Sequence, residues 1–326
     1  MKMRLGFICF LLCAACLARV LAGETPPASP APPVPAAPSL ADLRKAAEKG
    51  DAESQFKLAL AYSDGLALPR DYLAAADFFR QAAEQDHIQA QYNLGELYEN
   101  GKGVPKDPEE ARKWYQRSAT HEYAPAQHAL ALLYLHGLGV TEDKLQAMRL
   151  LTSAAENGFY KAQYDLGVLC ASSEDAASRA EAVKWFLQAA KTFPSSEKMN
   201  WDPAIYFLLG CGLETGEGAP RNKTEALGWF KKAANGKHVA AQYRLGHLYQ
   251  TGDESEGLHT NKEEAVKWYT LAAEKGDPLA QYSLGWMLAT GDGIRKNKSE
   301  AERWLKRAAD KLKEAEDELK KLKDEQ

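Results

Sequence analysis

Apolar residues recur along this chain at helical spacing, and the recurrence is itself repeated. In AQYNLGELYENGKG, residues 90–103, Ala90, Leu94, Leu97 and Tyr98 fall on one side of a helix. The run stops at Gly101 and Gly103, which can enter the left-handed backbone region that closes a helix. Residues 280–293, AQYSLGWMLATGDG, repeat the pattern almost unchanged. Aligning the chain with itself makes Ala59, Gly95, Ala131, Gly167, Gly210, Gly246 and Gly285 equivalent, at spacings of 36, 36, 36, 43, 36 and 39 residues. Seven copies at so steady a period predict a solenoid, in which each unit exposes an apolar face that only its neighbours can cover. The departures are three extra residues in TGDESEGLHTN and a net seven around TFPSSEKMNWDP, between copies four and five.

Each copy also holds a second helix, B, with a start signal. Asp107-Pro108-Glu109-Glu110 places an N-cap acceptor, a first-turn proline and a glutamate at the third helical position, and Asn222 with Glu225, Asn261 with Glu264 and Asn297 with Glu300 repeat the box. Helix B carries a large residue at Phe78, Trp114, Leu150, Trp185, Trp229, Trp268 and Trp304, read as core, followed four residues on by small pairs such as Ala154-Ala155. The chain divides into a targeting segment (1–22), a proline-rich linker (23–39), the solenoid (40–311) and a charged carboxyl-terminal helix (312–326). The copies span about 50–85, 86–121, 122–157, 158–191, 199–235, 236–275 and 276–311.

The pattern A-Q-Y-x-L-G-x-x-Y-x-x-G-x-G-V followed by D-x-x-x-A-x-x-W-x-x-x-A-A resembles the Sel1-like repeat, a relative of the tetratricopeptide repeat, over residues 50–311. The resemblance implies an all-α, α/α superhelical solenoid with a carboxyl-terminal capping helix, used as an adaptor between macromolecules. Exported bacterial members are associated with envelope processes or host contact, and no catalytic residue belongs to the signature. Copy five departs from it, with Ile205-Tyr206 where Ala-Gln is usual, and copy four reads ASSEDAASR in place of the Gly-x-Gly loop. Regularity is therefore expected to suffer around residues 170–206.

If the repeated positions are core, recognition is left to those that vary. Counted from the equivalent residue, positions −2, +1 and +5 share one face of helix A. Taken copy by copy they are Lys57, Leu60, Asp64; Asn93, Glu96, Asn100; Ala129, Leu132, His136; Asp165, Val168, Ser172; Leu208, Cys211, Thr215; Arg244, His247, Thr251; Ser283, Trp286, Thr290. Stacked helices would join these into a strip, apolar in the middle and polar at its ends, which by the resemblance lines the concave side. Such a layout suits an extended peptide or a partner's helix. The partner-binding set is Asn93, Glu96, Asn100, Leu132, His136, Val168, Leu208, Arg244, His247 and Trp286, with Leu132, Val168, Leu208 and Trp286 contributing most. Trp201, in the long insertion, reads as a plug for the gap the insertion opens.

Composition narrows the partner. The chain has 326 residues, 45% hydrophobic and 26% charged, with a net charge of −4. Removing Lys2, Arg4 and Arg19 with the first segment leaves −7, so no basic surplus favours nucleic acid or anionic lipid. That segment has a basic start, the apolar run LGFICFLLCAACLA and a small-residue site at Val20-Leu21-Ala22. Cleavage after Ala22 and export, periplasmic or secreted, is the reading adopted; acylation of Cys16 and an uncleaved anchor are the alternatives, and either would be the only membrane attachment. GETPPASPAPPVPAAPS follows as an extended spacer, or as a polyproline ligand for an aromatic groove.

Candidate chemistry is sparse. Cys170 and Cys211, at helix A offsets about 200° apart on a wheel, are expected to point in different directions and stay unpaired. Ser54-Gln-Phe-Lys57 and Ser195-Ser-Glu-Lys198 match S-x-x-K without the S-D-N or K-T-G that a β-lactam-recognising serine enzyme needs. GELYENGKG lacks the spacing and following hydroxyl of a phosphate loop, and the seven histidines show no metal-ligand spacing. Neither metal nor cofactor is expected. A weak amide hydrolase and a cell-wall glycan or peptide binder remain as alternatives to the protein-binding scaffold. Leu305, Ala308, Leu312, Ala315, Leu319 and Leu322 form a heptad stripe that continues helix B of the last copy, as a cap or as a weak coiled-coil dimer.

Overall fold

Paired loop glycines set the geometry of copies two, three, five and seven, in two different ways. Gly101 ends helix A of copy two at φ 68°, and Gly103 follows at φ 70°, where a Cβ would stand 2.0 Å from the carbonyl oxygen of Tyr72. The first glycine reverses the chain; the second lets the loop lie on helix B of the preceding copy. The computed structural model describes residues 39–173 and 175–324, among which there are sixteen α-helices and no sheet. An opening helix, α1 (Leu40–Glu48), precedes seven A/B hairpins: α2 (Ala52–Asp64) with α3 (Tyr72–Glu84), α4 (Ile88–Asn100) with α5 (Pro108–Ala119), and α6 (Ala124–His136) with α7 (Lys144–Glu156). There follow α8 (Tyr160–Ala171) with α9 (Ala176–Thr192), α10 (Pro203–Thr215) with α11 (Lys223–Asn235), α12 (Val239–Thr251) with α13 (Lys262–Glu274), and α14 (Pro278–Thr290) with α15 (Lys298–Ala309). The chain closes with α16 (Lys313–Asp324). Each helix packs on its neighbours in sequence, giving an all-α solenoid. The targeting segment and the proline-rich linker up to residue 38 lie outside the described residues.

Within a hairpin the two helices meet at a small residue on A and a large one on B. A Cβ on Gly95 would stand 2.6 Å from the Tyr115 ring, on Gly167 2.6 Å from Phe186, and on Gly210 2.5 Å from Phe230. All three rings are fully buried. This corrects the reading of helix B: the core residue is the one after the expected position, namely Phe79, Tyr115, Leu151, Phe186, Phe230, Tyr269 and Leu305. The tryptophans sit one residue earlier, about 100° round the helix; Trp229 is buried beside Phe230 as expected, whereas Trp114, Trp185, Trp268 and Trp304 are only half-buried. Three of those four carry a cation over the ring: Arg117 lies 4.9 Å from Trp114, Lys184 5.5 Å from Trp185 and Arg307 4.8 Å from Trp304.

Between copies the tie is a glutamine. The buried carboxamides of Gln55, Gln91, Gln163, Gln242 and Gln281 donate to the carbonyls of Ala47, Ala83, Ala155, Ala234 and Ala273, at 2.9–3.3 Å. Each carbonyl belongs to the last turn of the preceding helix, where it also accepts the backbone N–H three residues on, at 2.9–3.1 Å, and the glutamine takes its second lone pair. In copy five Tyr206 occupies that place, and its hydroxyl donates to the Met199 carbonyl at 2.9 Å and accepts from the Trp201 amide at 2.9 Å. Trp201 is buried against Tyr164, Phe186, Phe193 and Tyr206, as a plug should be. The irregularity expected near 170–206 takes the form of a longer helix B, 17 residues in α9, and a looser contact between α9 and α10.

Helix B N-caps are as expected, with Asp107 Oδ1 accepting from Glu109 and Glu110 amides at 3.0 and 3.1 Å. The glutamate half of the box differs: at Asn222 and Asn297 the cap carboxamide donates to the Glu225 and Glu300 carboxylates, at 3.3 and 3.1 Å. The three extra residues near Asp253 form a short 3-10 turn, Glu254–Glu256, clipped to copy five by a Lys223–Asp253 ion pair and by Arg221 on Glu256 at 3.2 Å. The carboxyl end does not continue helix B. The chain breaks after Ala309, turns through residues 310–312 and returns as α16, burying Ala315 and Leu322 against the last copy. The break lets one apolar stripe cover the open end of the solenoid, as α1 does at the other end.

Two outcomes follow. Gly95→Val forces a side chain into the Tyr115 ring and is expected to cost about 1–3 kcal/mol, whereas Gly228→Ala, at an exposed helical site with open space, is expected to gain about 0.5–1 kcal/mol; urea midpoints of the three proteins check both. The Lys223 ammonium and Ser255 hydroxyl hold the Asp253 carboxyl at about 2, below its ordinary 3.8. Its stabilising contribution is therefore complete above 3.8 and lost as pH falls towards 2, so Asp253→Asn is expected to flatten the acid limb of a melting-temperature profile there.

Candidate functional site

None of the twenty-one side chains of the variable helix A stripe is buried. Positions −2 and +1 are mostly half-buried where successive A helices meet, and +5 is exposed in every copy. The face also brings distant copies within electrostatic reach. The Glu96 carboxyl in copy two is pushed up by burial, offset by the Tyr92 hydroxyl that donates to it at 2.9 Å, and it feels the Lys161 ammonium of copy four.

At the first two copies the stripe opens into a polar cavity of about 480 Å³. Asn93, Glu96 and Asn100 supply one wall from α4, with Asp64 at the end of α2, Arg70 of the copy-one loop, Tyr72 and Lys102 completing the lining. The Arg70 and Lys102 cations both lie over Tyr72, at 5.8 and 5.6 Å from the ring centre, and Arg70 is held by the Asp64 carbonyl at 3.0 Å. Asn93 and Asn100 donate to the carbonyls of Gln89 and Glu96, each at 2.8 Å, which turns their amide oxygens into outward acceptors. A pocket with acceptors along one side and cations on the other can hold a peptide backbone together with a carboxylate.

Sequence reasoning on helix A missed Arg70, Tyr72 and Lys102, because they belong to the A–B turn and the first residue of helix B. One signal was available: Tyr72 is aromatic where the other copies carry Pro108, Lys144, Ala176, Lys223, Lys262 and Lys298.

Further along, the predicted residues are dispersed. Leu132 is half-buried, His136 exposed at the end of α6, and Val168 exposed at 43%. Leu208 and Cys211 are half-buried over the core of copies four to six. Arg244 is spoken for by an ion pair with Glu214, and His247 beside it is drawn down by burial and then by the Arg244 charge. Trp286 lies half-buried on the core of the last copies. His128 meets Asp165 at 2.7 Å across the copy three–four boundary, while His87 and His238 cap helices α4 and α12. Among the described residues no cluster of His, Cys, Asp and Glu could hold a metal ion, and no helix is long and apolar enough to cross a membrane. Ser54 is buried and the Lys57 ammonium pairs with Glu53 at 2.9 Å, so that S-x-x-K stretch assembles no nucleophile–base pair. Cys170 and Cys211 are free thiols.

Comparison with known proteins bears on residues 52–311. A model of the Sel1 repeat matches residues 52–87, 88–123, 124–159, 161–191, 204–238, 239–277 and 278–311. Among solved structures, a protective antigen present in uropathogenic Escherichia coli strains, displaying an SLR fold, is similar at 27% identity and a TM-score of 0.50, over 86% of this chain and 73% of that one. A Sel1 repeat protein from Oxalobacter formigenes is similar at 28% identity and a TM-score of 0.45, over 86% of this chain and 78% of that one. Comparison with curated proteins finds no match.

Burial pushes the Cys211 thiol up to about 11 from its ordinary 9.0. Two units correspond to about a hundredfold less thiolate at pH 8. Iodoacetamide labelling followed by mass spectrometry is expected to modify Cys170, which is raised less, well before Cys211; equal rates would contradict this packing of the stripe in copy five.

Proposed function

The chain belongs to the Sel1 repeat family, whose fold is a protein–protein interaction scaffold, and from that premise we propose that it is an exported, non-catalytic adaptor holding a peptide or protein segment along its helix A face. The observation that carries this reading is the cavity where Asn93, Glu96 and Asn100 converge with Arg70, Lys102 and Tyr72. An extended segment advances about 3.3 Å per residue and packed helices lie about 8–10 Å apart, so roughly three residues of ligand cross each A helix. The asparagine oxygens accept from its backbone amides, and the two cations take a carboxylate from its side chain or end. Leu132, Val168 and Leu208 then offer apolar purchase, each worth about 1–2 kcal/mol when covered. Export is supported by the basic start, apolar run and small-residue site of residues 1–22, and agrees with a structural relative being described as a protective antigen.

A photo-crosslinking amino acid at Asn100, on this face, and at Gln116, exposed on helix α5, tests the proposal in the native host. The Asn100 probe is expected to give a discrete protein adduct and the Gln116 probe none. Val168→Asp with Leu208→Asp is expected to lower the adduct at least tenfold while helical circular dichroism is retained. Equal adducts from the two faces, or an adduct indifferent to the charged replacements, would overturn it.

A further inference from the structure

A second cleft opens at the junction of copies three and four with the long connection to copy five. Tyr160, Tyr164 and Trp201 line it, with His128, Lys161 and Asp165 completing its walls around about 230 Å³. The Tyr164 and Trp201 rings are 5.3 Å apart with planes at 52°, so they make a V-shaped wall. That wall is rigid, because Trp201 is held by Phe186, Phe193 and Tyr206 and its amide is bonded to the Tyr206 hydroxyl. Opposite, the His128–Asp165 bond of 2.7 Å fixes both side chains. The cleft is not a product of the repeat, since its tryptophan comes from the inserted connection.

Its chemistry is specific. Among the described residues, the hydroxyls of Tyr160 and Tyr164 and the indole N–H of Trp201 bond to no protein group, and that N–H is not sealed in the interior. Flat apolar faces beside unmet donors suit a ligand made of compact rings and carbonyl acceptors. Asp165 is already engaged by His128, and the Lys161 ammonium at the rim disfavours a cationic guest. Proline-rich chain meets these requirements: it favours the polyproline II form, spends little entropy on binding, and presents carbonyls without matching amides.

The protein carries such a stretch. Residues 24–38, ETPPASPAPPVPAAP, contain seven prolines and no basic residue, with Glu24 as the one charge. They end next to Ser39, the N-cap of α1 beside copy one. At about 3.1 Å per residue, fifteen residues of polyproline II reach roughly 45 Å, enough to pass three repeats stacked about 10 Å apart and arrive at copy four. We propose that residues 24–38 of this chain bind in the cleft as a polyproline II segment. Proline rings from residues 26–30, nine to thirteen residues before Ser39 and so about 28–40 Å from it, stack on Tyr160, Tyr164 and Trp201, and the carbonyls of this stretch accept from the tyrosine hydroxyls and the indole. The leader thereby lies along the face that faces the partner, and does so whatever that partner is.

The test uses the full chain with a photo-crosslinking amino acid in place of Lys161, followed by mass spectrometry of the adduct. The expected adduct is to residues 24–38, within one molecule or between two copies distinguished by isotope labelling; either supports the proposal. Pro26, Pro27 and Pro30 all changed to serine, or Tyr160→Ala with helical content unchanged, are expected to reduce it at least tenfold, and added synthetic peptide 24–38 is expected to compete. An adduct elsewhere, no adduct, or one unmoved by the serine replacements overturns it. Because the Asn100 probe reports on the external partner, failure here leaves that reading separately measurable.

Discussion

Every repeat depends on one contact, between a position on helix A with little or no side chain and a buried ring or leucine on helix B. Where glycine stands, as at Gly95, Gly167 and Gly210, even a methyl would press into the ring of Tyr115, Phe186 or Phe230. Where alanine stands, at Ala59 and Ala131, it is itself fully buried. Close approach of this kind leaves no freedom in the angle between the two helices, because interiors are packed as densely as crystals. With that angle set, the glutamine two short steps along helix A arrives at the last carbonyls of the previous helix, and the next copy is placed.

Such economy has a consequence for binding. One side of helix A is taken up by its own helix B and another by the preceding copy, so a single face is left for anything else. That face is not uniform. Copies one and two offer acceptors, cations and a tyrosine; the middle copies offer half-covered leucines and an exposed valine; copy six has already paired its arginine with Glu214. Under the proposed adaptor role, a guest would be read by position along the furrow, with polar anchoring at one end and apolar cover further on.

The proposed aromatic cleft lies where the repetition falters. The long connection between copies four and five supplies Trp201, whose burial closes the gap between copies and at the same time builds one wall of an aromatic cleft. Tyr206, which replaces the usual glutamine, holds both the connection and the tryptophan through its hydroxyl. An insertion that only lengthened a loop would have done neither.

Seven helical hairpins, their caps and the variable face of helix A were legible in the chain, because each rests on local periodicity and on glycine, proline and capping residues whose effects act within a few positions. Three matters were decided by packing. Which of two adjacent large residues on helix B is buried is a question of about 100° of rotation, and only the opposing glycine answers it, in favour of Tyr115 over Trp114. The heptad at the carboxyl end reads equally as a continued helix or a returning one; the exposed end of the last copy selects the second. Arg70 and Tyr72 join Asn93 and Asn100, and His128 joins Asp165, across separations of some 20 to 40 residues. No local rule specifies such neighbours, since they are set by how each repeat is rotated on the one before it.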